Sequence, residues 1–318
     1  MALIAKMTPD HHGTRPRSRR LRSLALVPTL LTLANLLCGF AAVHFALRAM
    51  YDFGAGIGPE QFVTLRHVAL ERILPSFLSI GASLVLLGMI LDMFDGLMAR
   101  VTRSTTNFGG QLDSLADVVT FGVAPATLMV AFMTQRLAGD SIVPSPISDH
   151  VLGRATWVAA GIYVAMTAMR LARFNVEHAR DDFDHRVFRG MPSPAAAVIV
   201  VALILFQDQD VPNWARTFFV YATPMIAATA GLLMVSRIPY RRFHRSWLLG
   251  RWPIGQFVAA FLLIAVFVAW PAVTLLIVAL WYGLTGPVHY IAWRVRERRR
   301  HSGHVHVQDS RPGQSAVG

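Results

Sequence analysis

Lysine is almost missing from this chain, cysteine nearly so, and charge is missing from its long apolar stretches. Lys6 is the only lysine, so the net charge of +12 comes almost entirely from arginine. A single cysteine, Cys38, excludes an intrachain disulfide, so folding requires no oxidising compartment. Charged residues make up only 15% of the 318, against 54% hydrophobic. That balance excludes an ordinary soluble domain and points to a polytopic membrane protein. Residues 73–91 carry no charge, nor do residues 118–134. No repeat of fixed period is visible. The basic excess alternates with apolar runs, which makes anionic lipid head groups the partner and excludes a nucleic-acid reading.

What is present is a series of apolar runs of spanning length. The first, residues 24–47, is too long for a signal peptide and lacks a small-residue cleavage site, so it reads as an uncleaved span. Others fall near 73–97, 114–134, 151–172, 194–206, 214–235, 253–270 and 272–293. The fold class is therefore all-α, a transmembrane helical bundle of about eight spans, with six plus a terminal hairpin as the fallback. The expected organisation is a basic N-terminal segment (1–23), a transmembrane core (24–235), a basic loop with a two-helix hairpin (236–293) and a basic, disordered tail (294–318). With the N-terminus in the cytoplasm, 24 of the 30 Lys and Arg residues fall on cytoplasmic segments, and a one-helix slip would scramble that alternation. Both termini are thus expected on the cytoplasmic side. His301, His304 and His306 in the tail form a short tract of metal-binding composition, for which a solvated tail is the simpler reading.

The runs converge on residues 92–117, which place four carboxylates, Asp92, Asp95, Asp113 and Asp117, beside charge-free segments. Asp92, Asp95, Gly96 and Ala99 share one helix face by their spacing, and Gly109, Asp113 and Asp117 follow at successive i+4 steps on another. Between them, residues 102–107 are rich in Thr, Ser and Asn and suit a turn. The expected product is a helical hairpin that presents two pairs of acids to each other at the cytoplasmic face. Interfacial capping would account for Asp113 and Asp117 near a helix start, but the helix dipole opposes Asp92 and Asp95 near a helix end. An embedded Asp costs about 2.5–3.5 kcal/mol, and four together also repel one another. Arg100 and Arg103 cannot neutralise all four, whereas hard divalent cations with oxygen ligands can.

The pattern D-x2-D-G-x2-A-R-x8-G-x3-D-x3-D, met by Asp92, Asp95, Gly96, Ala99, Arg100, Gly109, Asp113 and Asp117, resembles the signature of the CDP-alcohol phosphotransferases, membrane enzymes of phospholipid synthesis. The resemblance implies two Mg²⁺ or Mn²⁺ ions held by Asp92, Asp95, Asp113 and Asp117. It implies Asp117 as general base, and Gly96, Ala99, Arg100 and Gly109 as contacts for CDP-diacylglycerol. It also implies a homodimer in the bacterial inner membrane with its active site facing the cytoplasm.

Two further stretches, R-L-A-R-F-N-V (170–176) and F-R-G-M-P-S-P-A-A-A (188–197), resemble segments of the bacterial phosphatidylserine synthase branch of that family. Met191 stands where Leu is usual. The first span's P-T-L-L-T-L-A-N-L-L-C-G-F looks like the same branch, with Thr29 where Asn is common. This resemblance covers about residues 20–235 and implies L-serine as acceptor, with Arg170 or Arg173 for its carboxylate, Asn175 for a neutral hydrogen bond and Ser193 on the same rim. A second class of phosphatidylserine synthase resembles phospholipase D and uses paired His-x-Lys motifs. That route is excluded, since no histidine lies two positions before Lys6. Glycerol 3-phosphate, inositol phosphate and choline are the alternative acceptors within the family. From another class, a cation transporter would place its acids near the midplane on discontinuous helices, whereas these gather at one face.

Overall fold

The computed structural model describes residues 26–54, 76–102, 107–137, 144–179, 188–207, 209, 212–240 and 254–308. The expectations for the N-terminal segment 1–23, for Arg103 and for residues 309–318 lie outside the described residues. So do the side chains of Ala99, Arg100, His301, His304 and His306.

Each expected apolar run falls on a helix. These are α1 (Leu26–Gly54), α2 (Phe77–Thr102), α3 (Asn107–Asp117), α4 (Ala124–Leu137), α5 (Val151–Ala179), α6 (Ser193–Gln207), α7 (Asn213–Val235), α8 (Ile254–Ala269) and α9 (Pro271–Gln308). A π-helical turn, Val118–Val123, joins α3 to α4, so the three run on as one continuous rod. Among the described residues, six helices are long and apolar enough to cross a membrane. Large apolar side chains such as Leu30, Leu37, Phe40, Phe218 and Phe261 lie exposed on the outside of the bundle. Such a coat would be costly in water and is what lipid solvates. The chain is a polytopic membrane helical bundle.

Among the described residues, the apolar helices below spanning length are α6 and α8, while α9 is one of the six long ones. The backbone of α9 also stays helical to Gln308, past the expected start of a disordered tail at 294. The stretch R-V-R-E-R-R-R is built largely of good helix formers, with no Gly or Pro to stop it before Gly303.

The centre of the bundle is made by the α3–α4 rod and by α6. Two thirds of the rod's apolar window is buried (67%), against 28–39% for the other long helices. Nearly every residue of α6 is buried, including Ala196, Ala197, Ile199, Val200, Leu203 and Ile204. A helix apolar on all sides belongs inside. That position also explains its length: 15 residues rise only about 22 Å, short of the roughly 30 Å that a lipid-facing span must cover. α1 packs along α2 and against α4, α5 along α7, and α9 along α6.

The entry to α6 is held by a small antiparallel ribbon, β1 (Phe188–Arg189) and β2 (Pro239–Tyr240), with Phe188 opposite Tyr240. Gly190 N–H then donates to Ile238 O at 2.9 Å and Met191 N–H to Leu233 O at 3.0 Å. Gly190 has φ +87°, and a Cβ there would strike the carbonyl oxygen of Met234. Only glycine takes this turn without strain, and the turn delivers Ser193 to the inside of the bundle.

Candidate active site

Three helices meet where the acids lie. α2 brings Asp92 and Asp95, α3 brings Asp113 and Asp117, and α1 runs beside both. One carboxylate oxygen each from Asp92, Asp113 and Asp117 lies within 4.8 Å of the others. Asp117 is buried, and Asp92 and Asp113 are half-buried. Asp95 is also buried but sits outside this triad: its Oδ2 accepts from the Thr32 hydroxyl, which also bonds Pro28 O at 3.0 Å. It stays within electrostatic reach of Asp92 and Asp113. Of the four acids expected to face one another as two pairs, three are clustered and the fourth is tied to α1, and residues 103–106 of the expected turn lie outside the described residues. Gly96 and Gly109 are half-buried on the two acidic helices.

The first helix contributes more than its apolar sequence suggests. Asn35, fully buried, donates from Nδ2 to Asp117 Oδ1 at 3.1 Å, and its backbone carbonyl accepts from Thr120 Oγ1 at 2.9 Å. This fixes one oxygen of Asp117, Oδ1. Thr32 and Asn35 are i and i+3, so a single face of α1 braces both acidic helices. The sequence signal for them was two polar residues in an otherwise apolar run, within the P-T-L-L-T-L-A-N stretch, without any assignment to the carboxylates.

The π turn begins directly after Asp117. Its wider winding is characteristic of functional positions in helices. Here it lets Thr120 reach α1 while the Phe121 carbonyl accepts from Tyr163 Oη at 2.9 Å. Both bonds lock the acidic half of the rod to its neighbours.

On the opposite wall, Arg170 of α5 donates from Nη1 to Ser193 Oγ at 2.8 Å and lies within electrostatic reach of Asp92 and Asp117. Arg173, three residues on, is half-buried. Asn175 pairs with Ser114 of α3, its Nδ2 donating to Ser114 Oγ at 3.0 Å, one residue from Asp113. The structure therefore unites Arg170 and Ser193 beside the acids, while Asn175 ties α5 to α3.

The donor set fits a hard divalent cation. Oxygens on one Mg²⁺ at about 2.1 Å lie no more than about 4.2 Å apart, so the triad closes on an ion with small side-chain movements. Three carboxylates this near one another, with one arginine close by, repel unless a cation is shared. Arg170 adds a fixed positive charge suited to phosphate or carboxylate.

Comparison with known proteins agrees with this chemistry. The sequence model of the family described as CDP-alcohol phosphatidyltransferase matches residues 25–230. A CDP-diacylglycerol–serine O-phosphatidyltransferase of Mycobacterium leprae is 30% identical over 235 residues, covering 73% of this chain and 63% of that protein. The chain thus spans just under two thirds of that relative. A protein of the same name from Mycobacterium bovis is 26% identical over 303 residues, 94% of this chain and 88% of its own. One from Methanocaldococcus jannaschii is 31% identical over 180 residues, 56% of this chain and 73% of its own.

Proposed function

Since this chain belongs to the CDP-alcohol phosphatidyltransferase family, we propose that it moves the phosphatidyl group of CDP-diacylglycerol onto the hydroxyl of L-serine, releasing CMP. The observation that carries this reading is the triad of Asp92, Asp113 and Asp117 facing an arginine already bonded to Ser193. The catalytic machinery lies within residues 24–235, at the cytoplasmic face of a bacterial inner membrane, the side to which the positive-inside pattern assigns most of the arginines.

Asp92, Asp113 and Asp117 would hold Mg²⁺ or Mn²⁺, with Asp95 available from its Thr32-bound position for a second ion. When bound, the ions neutralise the diphosphate and stabilise the charge that grows on the leaving CMP. The chain's own residues do the remainder. Asn35 keeps one oxygen of Asp117 fixed, so the other can take the proton of the serine hydroxyl. As that proton leaves, the serine oxygen bonds to the phosphorus next to diacylglycerol, and the bond from that phosphorus to the oxygen of CMP breaks. A positioned base of this kind is worth about 10²–10⁴ in rate. Gly96 and Gly109 leave room for the nucleotide, along with Ala99, and Arg100 pairs with its phosphate. Arg170 and Ser193 take the serine carboxylate, and Arg173 and Asn175 line the same rim.

The test is CMP release by the purified protein from CDP-diacylglycerol, with serine, glycerol 3-phosphate, inositol phosphate and choline offered side by side. Release is expected with serine alone and only with Mg²⁺ or Mn²⁺; EDTA should abolish it and re-addition restore it. Faster release with another acceptor would remove serine from the reading. A finer check is Arg170→Lys, which keeps the charge beside Asp92 and Asp117 but loses the planar fork. It should raise the serine KM by about 10-fold or more and leave the CDP-diacylglycerol KM near its original value. Equal damage to both would place Arg170 on the nucleotide side instead.

A further inference from the structure

The last long helix lies beyond the matched family region, which ends at residue 230, yet it packs on the helix that begins at Ser193. α9 packs along α6, and Gly283 lies against the Ile199 side chain, two turns inward from Ser193. The residue before it, Tyr282, is half-buried and within electrostatic reach of the Arg170 guanidinium. Its hydroxyl has no hydrogen-bond partner among the described residues.

Its ring is held in place from the other side. Tyr240 of β2 is buried, stands 5.8 Å from Tyr282 between ring centroids, and donates from Oη to Gly283 O at 3.0 Å. Tyr240 is also the ribbon partner of Phe188, five residues before Ser193. One short ribbon therefore positions both Ser193, which Arg170 bonds, and Tyr282, which lies within electrostatic reach of Arg170. A phenol whose hydroxyl no described residue engages, within electrostatic reach of a guanidinium, is suited to share an anionic group with it: the arginine provides the charge and the hydroxyl a directed hydrogen bond.

We infer that Tyr282 is an acceptor-recognition residue whose hydroxyl, with Arg170 and Ser193, binds the carboxylate of the incoming serine. This rests on the proposed serine reaction and adds a specificity residue supplied from outside the family core.

The experiment uses the full chain in lipid nanodiscs with Mg²⁺ and follows CMP release for the wild type and for Tyr282→Phe, which keeps the ring and its tilted contact with Tyr240. The serine KM should rise about tenfold, while kcat and the CDP-diacylglycerol KM stay within about twofold. Serinol, which has the amine and hydroxyl of serine but no carboxylate, separates recognition from packing. Its turnover should be the same in both proteins, so Tyr282→Phe narrows the preference for serine over serinol. An unchanged serine KM overturns the inference while leaving serine turnover standing. A parallel rise in both substrates' KM, or a lowered unfolding temperature, overturns it in favour of a purely structural tyrosine. No serine-dependent release from the wild type removes the serine reaction and this inference together.

Discussion

Replacing Asp113 by Asn is expected to lower CMP release by about 10³-fold without unfolding the protein. Asp113 is one of three acids whose oxygens gather within 4.8 Å, and Asn keeps its shape while removing its charge. A ligand lost from a site that must neutralise a diphosphate removes stabilisation where charge develops, so kcat carries the effect. Stability should respond with the opposite sign when no divalent ion is present. Asp113 lies within reach of both Asp92 and Asp95, so neutralising it relieves repulsion, and the unfolding temperature in EDTA should equal or exceed that of the wild type. Adding Mg²⁺ should then raise the wild-type unfolding temperature by mass action and leave the variant almost unmoved. Tryptophan fluorescence during heating, with and without Mg²⁺, reads both effects. Full turnover in the variant would show that the triad is not the catalytic centre.

The second large effect is expected from Gly39→Ala, a change of one methyl group that touches no acid. A Cβ at Gly39 would strike Thr120 Oγ1 and lie 2.8 Å from Thr120 Cα and 3.0 Å from its N, so most of the obstruction is backbone. No side-chain rotation relieves that. Alanine gains about 1 kcal/mol of helix propensity over glycine, but overpacking of this kind costs about 1–3 kcal/mol, and the remaining relief is for α1 to move off the π turn. Asn35 lies one turn before Gly39 on the same face, and it holds both Asp117 and the Thr120 hydroxyl. Activity should therefore fall by more than about tenfold, with a lowered unfolding temperature. Gly39→Ser should be no better, because the new hydroxyl does not remove the Cβ. A fully active alanine variant would mean that the α1 brace does not position Asp117.

Much of the acidic hairpin could be read before any coordinates. Asp92, Asp95, Asp113 and Asp117 stand out because long charge-free runs flank them, and helical spacing alone puts each pair on one face. Spacing could not show that Asp95 turns to Thr32, because that bond joins residues 63 apart in the chain. Asn35 was hidden for the same reason: its partner, Asp117, is 82 residues away. The π turn was illegible because V-V-T-F-G-V reads as an ordinary apolar run, and a wider winding leaves no trace in hydrophobic pattern. The last helix carried no motif at all. Tyr282 acquires meaning only once α6, β2 and α9 are packed together and Arg170 is seen beside it.

The extra width of residues 118–123 also sets an angle. Each residue of an α-helix advances the direction of the next side chain by about 100°, and a π turn resets that count partway along a rod that is otherwise continuous. Below it, α4 keeps Leu128, Phe132 and their neighbours pointed at the buried centre. Above it, α3 aims Asp113 and Asp117 at α1 and α2. The two halves of one span thus answer to different neighbours, and the compass bearing of the acids is written in a stretch of the rod that has no acids in it.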